Sequence, residues 1–255
     1  KNTLFEGMVN NSINFSIGIS EYYGSRDTSG LTFSQNKVSG KTLFVIDGDY
    51  ASHVMLCNKD GQIGVVSLDS VGVETINLTT VDKTRMYQEM NFDNAPIEIL
   101  ENSLTSSNAI ELSIDAGRIV AAADSIGASQ YMIDKAIEYS KERKQFNRVI
   151  GSFQAVKHMC AEMAADLEPC YSLVWHAAHS FDNHEADSRL MACHAKSHVS
   201  EISKIISKKA TEVHGGMGFT DLLGLHFWFK RIGLNRHILG SPVIVREEAA
   251  RIQNL

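Results

Sequence analysis

Proline is nearly absent from the C-terminal part of this chain, and that constrains its fold more than any other feature. Only three prolines occur, Pro96, Pro169 and Pro242, so the sequence after Pro96 is open to very long helices. The apolar pattern agrees. Up to about residue 100, short β-rich runs alternate with Gly, Asp and Asn turn residues: KTLFVI (41–46), HVMLC (53–57) and IGVVSL (63–68). Val81–Phe92 reads as one more strand, closed by Pro96.

After Ser107 the period changes from two to about 3.6. Ile119, Ala123, Ile126, Gln130, Ile133 and Ile137 fall on one face of a first long helix. A second helix is expected over about 152–180, with a kink or break near Leu167 imposed by Pro169. A third, over about 185–213, stops at Gly215-Gly216, and a shorter one starts at Pro242. The expected fold class is α+β, with an antiparallel β domain over 1–105 followed by an antiparallel four-helix bundle over 106–255. The absence of βαβ alternation and of GxGxxG argues against a Rossmann fold.

A net charge of -6 leaves no basic footprint for nucleic acid. No apolar run approaches the roughly 20 residues that a membrane helix needs, and no signal-peptide pattern is visible. The four cysteines show no CxxC spacing, so reduced thiols in a cytoplasmic protein, without a metal, are the expectation.

Two segments carry chemistry. ERKQFNRVIGSFQAVKH (142–158) contains RxxF-x(4)-GxFQxxKH between two long helices. Taken singly, Arg143 complements a helix dipole and Phe146 is a core residue. EVHGGMGFT (212–220) is a glycine-rich turn of the kind that ends many helices. Asp115 and Arg118 lie three apart on one helix face, which alone reads as a solvated ion pair.

Together these strings resemble the acyl-CoA dehydrogenase family, and the resemblance covers nearly the whole chain. It implies a β domain, preceded by a short remnant of the N-terminal helical domain, joined to the C-terminal bundle. It also implies FAD held across a subunit interface, in a homo- or hetero-oligomer such as a dimer of dimers. Arg143 would then meet the flavin pyrophosphate, Phe146 and Gln154 would line the adenosine side, and Gly215 and Gly216 would bring backbone N–H groups up to it. Glu212 stands where the family usually has Gln, and Asn147 where it has Gly. In the β domain, SEYYGSRD (20–27) resembles a flavin- and thioester-binding loop, with Ser20 on the cofactor and Ser25 on the substrate. GKTLFVIDGDYAS (40–52) puts Phe44 at the flavin-stacking place and Ile46 where a hydroxyl is usual. Ser241 completes the cofactor set, and Asp115 and Arg118 would contact the CoA portion.

Oxidising a thioester at Cα–Cβ needs a carboxylate to take the α-proton. The family keeps that glutamate at one of two places, here occupied by Leu239 and Gly117. Asp115 is the only nearby carboxylate with a plausible direction, and Glu247 and Glu248 are expected to be solvated. The implied function is a subunit of an FAD-dependent acyl-CoA dehydrogenase, in fatty acid or steroid side-chain β-oxidation, with electron-transfer flavoprotein as acceptor. Its base would come from a paralogous partner, as in heteromeric actinobacterial enzymes. The alternatives are a non-catalytic assembly member without flavin chemistry, and a flavin oxidase on the same fold.

Overall fold

A computed structural model describes residues 2–19, 29–100 and 107–255. The chain divides into two compact units, Lys1–Glu111 and Leu112–Leu255.

The first unit opens with helix α1 (Asn2–Val9), a segment that carries no strand period. It continues as strands β1 (Phe15–Gly18), β2 (Gly30–Ser34), β3 (Lys37–Ile46), β4 (His53–Cys57), β5 (Ile63–Ser67), β6 (Val73–Leu78), β7 (Tyr87–Pro96) and β8 (Glu98–Ile99). They form two four-stranded sheets, ordered β1-β4-β5-β8 and β2-β3-β7-β6. All pairs are antiparallel except β1 with β4. Ser16 Oγ donates to the Ile46 carbonyl at 2.6 Å and so ties β1 to β3. Val38, Val45, Val54, Leu56, Val66 and Met90 fill the core and are buried. The sequence reading erred at Val81–Met86, which is a loop. There the Asp82 carboxylate accepts from the backbone N–H and hydroxyl of Thr84, at 2.9 and 2.6 Å. Such a side-chain turn competes with strand pairing.

The second unit is helical: α2 (Ser107–Glu142), α3 (Gln154–Asp182), α4 (Ser188–His214), α5 (Leu225–Asn235) and α6 (Pro242–Ile252). Helix α5 lies beyond the four that periodicity predicts. Pro169 does not break α3. It sits on the exposed face of the helix, where the lost backbone hydrogen bond costs least. The apolar stripe of α2 is also offset from the predicted one. Ala123 is exposed, and the buried line runs through Ile119, Ala122, Ile126, Met132, Ile133 and Ala136. Helix α4 is the central element. Its buried Ser197 and Thr211 hydroxyls donate back to the carbonyls of Cys193 and Ser207, both at 2.8 Å. Short side chains satisfied in this way cost little to bury, and Ser203 Oγ reaches the Ser125 carbonyl of α2.

Polar contacts dock α5. Arg231 grips the Asp124 carboxylate through Nε at 2.9 Å and Nη2 at 2.6 Å. Asn235 Nδ2 donates to the same carboxylate and to Ser125 Oγ, at 2.6 and 3.1 Å. The Lys196 ammonium of α4 donates to the Asn235 carbonyl. Lys196 is 1% exposed, and burial, with Arg118 and Arg236 nearby, pushes it down to about 7 from an ordinary 10.5. Because the folded value is depressed, the unfolded chain binds more protons between about pH 7 and 10.5, so stability climbs with pH across that window. Lys196→Met should flatten this climb and be the more stable protein at pH 7, by an amount on the order of a few kcal/mol. Urea unfolding of both proteins from pH 6 to 10 checks it.

Candidate functional site

Helix α2 ends at Glu142, and Arg143 leads into a two-residue hairpin, β9 (Lys144–Gln145) and β10 (Arg148–Val149). Its turn residues, Phe146 and Asn147, both have positive φ, 51° and 61°. This is the primed turn that suits strand twist. Asn tolerates it, so the replacement of Gly at 147 leaves the tight turn intact. A phenylalanine there is strained, and its ring stands 88% exposed. Phe153 packs edge-on to it with ring centroids 6.1 Å apart, and the Arg148 guanidinium lies 3.9 Å over the Phe153 ring.

Against this hairpin comes the loop after α4. Gly215 has φ 58° and ψ -139°, a conformation reserved for glycine. A Cβ on Gly218 would meet the Thr211 carbonyl at 2.5 Å, so that glycine serves the fold. A Cβ on Gly216 would meet nothing in the chain. His214 is buried and stacks on Tyr139 at 4.6 Å, with Nδ1 donating to the Ala210 carbonyl at 2.7 Å. Burial holds its pKa below the usual imidazole value. The hairpin and this loop enclose a cleft of ≈ 620 Å³ lined by Tyr139, Arg143, Phe146, Phe153, Glu212, Gly215 and Gly216, among others. Arg143 and Glu212 are exposed, and among the described residues neither has an ion-pair partner.

The helical unit thus gathers Arg143, Phe146, Glu212, Gly215 and Gly216 in one cleft. Gln154, the first residue of α3, is exposed and is not part of the lining. Tyr139 escaped the sequence reading, because its place in the cleft arises only when the end of α2 meets the loop after α4. Ser241 caps the start of α6 through its backbone, its carbonyl accepting from Val245 N–H at 3.0 Å. In the first unit Phe44 has φ 57° and sits at a register shift between β3 and β7, 47% exposed. A bulge of this sort re-aims a side chain away from the sheet. Ile46 closes β3 and is partly buried. Ser20 and Ser25 lie outside the described residues.

The two positions lacking a glutamate face each other. Leu239 Cδ1 lies 2.4 Å from where a Cβ on Gly117 would stand, so the leucine fills the room a side chain at 117 would need. Leu239 has φ 58°, and its carbonyl accepts from Arg118 Nε at 3.1 Å. Arg118 is fully buried. Its Nη1 donates to Asp115 at 3.4 Å and to Cys193 Sγ at 3.3 Å, and its Nη2 to Glu248 at 2.6 Å. Two expectations change here. Asp115 and Arg118 form a buried pair rather than a solvated one, and Asp115, engaged by the guanidinium, is poorly placed to accept a substrate proton. Glu248 is no solvated carboxylate either, since Arg189 donates to it through Nε and Nη2, at 3.0 and 2.6 Å. Burial pushes the Glu248 pKa up, but the two arginines outweigh it and hold the carboxyl below its ordinary value. Glu247 alone is as expected, an exposed carboxylate paired with Arg251 at 2.6 Å. Burial pushes the Cys193 thiol up to about 11, so it stays protonated beside Arg118.

Arg118→Met would take the guanidinium from the buried Asp115 carboxylate while Glu248 kept Arg189. Removing one partner of a buried pair costs about 3–5 kcal/mol. Chemical denaturation should show a loss of that size for Arg118→Met and a smaller one for Glu248→Gln, which leaves Arg118 with Asp115.

The comparisons with known proteins agree with this architecture. The profile of the family described as "Acyl-CoA dehydrogenase, C-terminal domain" matches residues 107–253, more than half of the chain. Caffeyl-CoA reductase-Etf complex subunit CarC of Acetobacterium woodii is 44% identical over 113 residues, 44% of this chain and 29% of that protein. The probable acyl-CoA dehydrogenase YngJ of Bacillus subtilis is 27% identical over 237 residues, 86% of this chain and 59% of that protein. The chain thus spans less than two thirds of either relative. The crystal structure of acyl-CoA dehydrogenase from Geobacillus kaustophilus superimposes with a TM-score of 0.91 at 19% identity, over 100% of this chain and 72% of that one, a likeness of fold. The chain belongs to the acyl-CoA dehydrogenase family, a family of FAD-dependent flavoprotein oxidoreductases.

Proposed function

We propose that this chain is the cofactor-holding subunit of an enzyme that interconverts an acyl-CoA and its 2-enoyl-CoA, and that the catalytic carboxylate belongs to a partner subunit. The observation that carries the reading is the Leu239–Gly117 contact: hydrocarbon packs where the family keeps its base. The remaining acids nearby, Asp115 and Glu248, are engaged by arginines.

The cleft suits the diphosphate half of FAD. Arg143 offers an exposed guanidinium without an ion-pair partner among the described residues, the group best matched to phosphate. Gly216 leaves open space for close approach of a ligand to the backbone. When bound, FAD supplies the hydride acceptor for Cβ of an acyl thioester, or the donor in the reverse direction. This chain's own residues in the cleft bind and orient it: Arg143 by charge, and Phe146 by an aromatic surface held clear of the fold. Arg118 and Asp115 act from inside, by holding the loop at Leu239. The similarity to CarC, named as a subunit of a reductase–Etf complex, supports electron-transfer flavoprotein as electron partner and a heteromeric assembly.

Arg143→Ala should weaken flavin retention by about 1.5–3 kcal/mol, the worth of a charge-assisted hydrogen bond. Flavin content after gel filtration reads this directly, and unchanged content would remove Arg143 from the site. Expressed alone, the chain should show no appreciable dehydrogenase or reductase turnover, because a positioned base contributes ~10²–10⁴-fold. Assays with an artificial electron acceptor and a panel of acyl-CoAs, with and without candidate paralogues, test this. Robust turnover by the chain alone overturns the partner-base reading, and a preparation that takes up no flavin favours a non-catalytic assembly role.

A further inference from the structure

A second cavity lies in the helical unit and shares no residue with the cleft described above. It has a volume of ≈ 570 Å³ and opens between α3, α4 and α6. His194 and His198 form its α4 wall, four residues apart and so on one helix face. From His198 to Glu212 of the other cleft, α4 climbs about 20 Å at roughly 1.5 Å per residue. Helix α6 contributes Arg246, Ala249 and Ala250, and α3 contributes Leu173. The two alanines leave room that larger side chains would fill.

Three basic side chains thus converge on this cavity, and among the described residues no acidic one lines it. Acids outnumber bases in this chain of net charge -6, so their exclusion here is a local feature. None of the three side chains makes a hydrogen bond or ion pair among the described residues. The neighbouring acids are committed elsewhere. Glu201, whose carboxyl feels Arg246, pairs with Arg236 at 2.6 Å, and Glu247 pairs with Arg251 at 2.6 Å. Two histidines at this spacing can chelate a metal ion. Here a guanidinium shares the cavity, and among the described residues no three His, Cys, Asp or Glu side chains are grouped to hold one. The remaining walls are aliphatic, and no Phe, Tyr or Trp among the described residues offers a nucleobase a stacking surface.

We propose that this cavity binds an aliphatic carboxylate, its charged end held by Arg246, His194 and His198 and its hydrocarbon chain laid over Leu173, Ala249 and Ala250. A carboxylate only accepts hydrogen bonds, and its two oxygens match a guanidinium fork. An imidazole supplies an N–H donor in either protonation state. A small inorganic anion gains nothing from the aliphatic walls, whereas each methylene buried there strengthens binding. The site is independent of the flavin reading, because neither Arg143 nor the glycine loop takes part in it.

The test is calorimetric titration of the full chain with octanoate, octanol and inorganic phosphate. Octanoate should bind saturably. It should bind about tenfold more tightly than octanol, which lacks the charge, or phosphate, which lacks the chain. Arg246→Gln should weaken octanoate about tenfold, the loss of a charge-assisted hydrogen bond, and His198→Gln by less. Both residues are exposed, so these variants should fold, which thermal melting verifies. Ala250→Leu, which fills the apolar end, should abolish binding, and Arg143→Ala in the other cleft should leave it unchanged. Octanoate should raise the Tm of the wild type and not that of Ala250→Leu. No saturable binding of octanoate, equal affinity for octanol, or unchanged affinity in Arg246→Gln or Ala250→Leu would overturn the assignment. Phosphate bound as tightly as octanoate would mark a small-oxyanion site and overturn the aliphatic assignment. Octanoate binding lost in Arg143→Ala would place the carboxylate in the other cleft and overturn it as well.

Discussion

A single buried guanidinium organises the helical half of this molecule. Arg118 leaves α2 with no exposed surface, and it meets Asp115 on its own helix, Cys193 on α4, Glu248 on α6 and the backbone of Leu239. Burying a charge is costly unless it is neutralised and hydrogen-bonded on several sides. The cluster meets that condition with two cations and two anions, Arg118 and Arg189 against Asp115 and Glu248. It fixes where α6 lies against α4 and holds the loop before α6 with Leu239 in a left-handed conformation. The apolar plug at Gly117 is therefore a consequence of an ionic interior.

Strain and exposure concentrate at the candidate sites. Phe146 and Phe44 are aromatic residues at positive φ, and each displays its ring to the surroundings, one in a hairpin turn and one at a bulge. Left-handed backbone disfavours a bulky side chain by roughly 1–2 kcal/mol, and the Phe146 ring, 88% exposed, recovers little of that by burial. Both positions make physical sense as contacts for something beyond the chain. Gly216 makes the same point from the opposite side, since among the described residues no atom lies where its side chain would stand.

Much of this was legible in the sequence. The scarcity of proline and the switch in apolar period anticipated the β unit followed by long helices, because both features act locally on the backbone. Residues of the two signature strings line one cleft. Other features were hidden because they depend on contacts distant in sequence. Glu248 reads as solvated, yet it is gripped by arginines 130 and 59 residues away. Helix α5 is only 11 residues long and follows a glycine-rich turn, and its docking depends on Asp124 and Ser125 of α2. Pro169 reads as a breaker until its exposed position on α3 is known. Lys196 looks like an ordinary surface lysine until α4 proves to be the central helix.

The account stands on the proposal that the base is supplied by a partner, since Leu239 and Gly117 stand at the two places where the family resemblance puts it, and one measurement reaches this independently of electron transfer. A carboxylate poised over the substrate exchanges the α-protons of an acyl-CoA with solvent whether or not the flavin is reduced. Incubation of the flavin-loaded chain with a saturated acyl-CoA in deuterium oxide, followed by mass spectrometry, reports that exchange directly. The account predicts deuterium uptake at the protein-free rate, rising only when a glutamate-bearing partner is added. Catalysed uptake by this chain alone would contradict it.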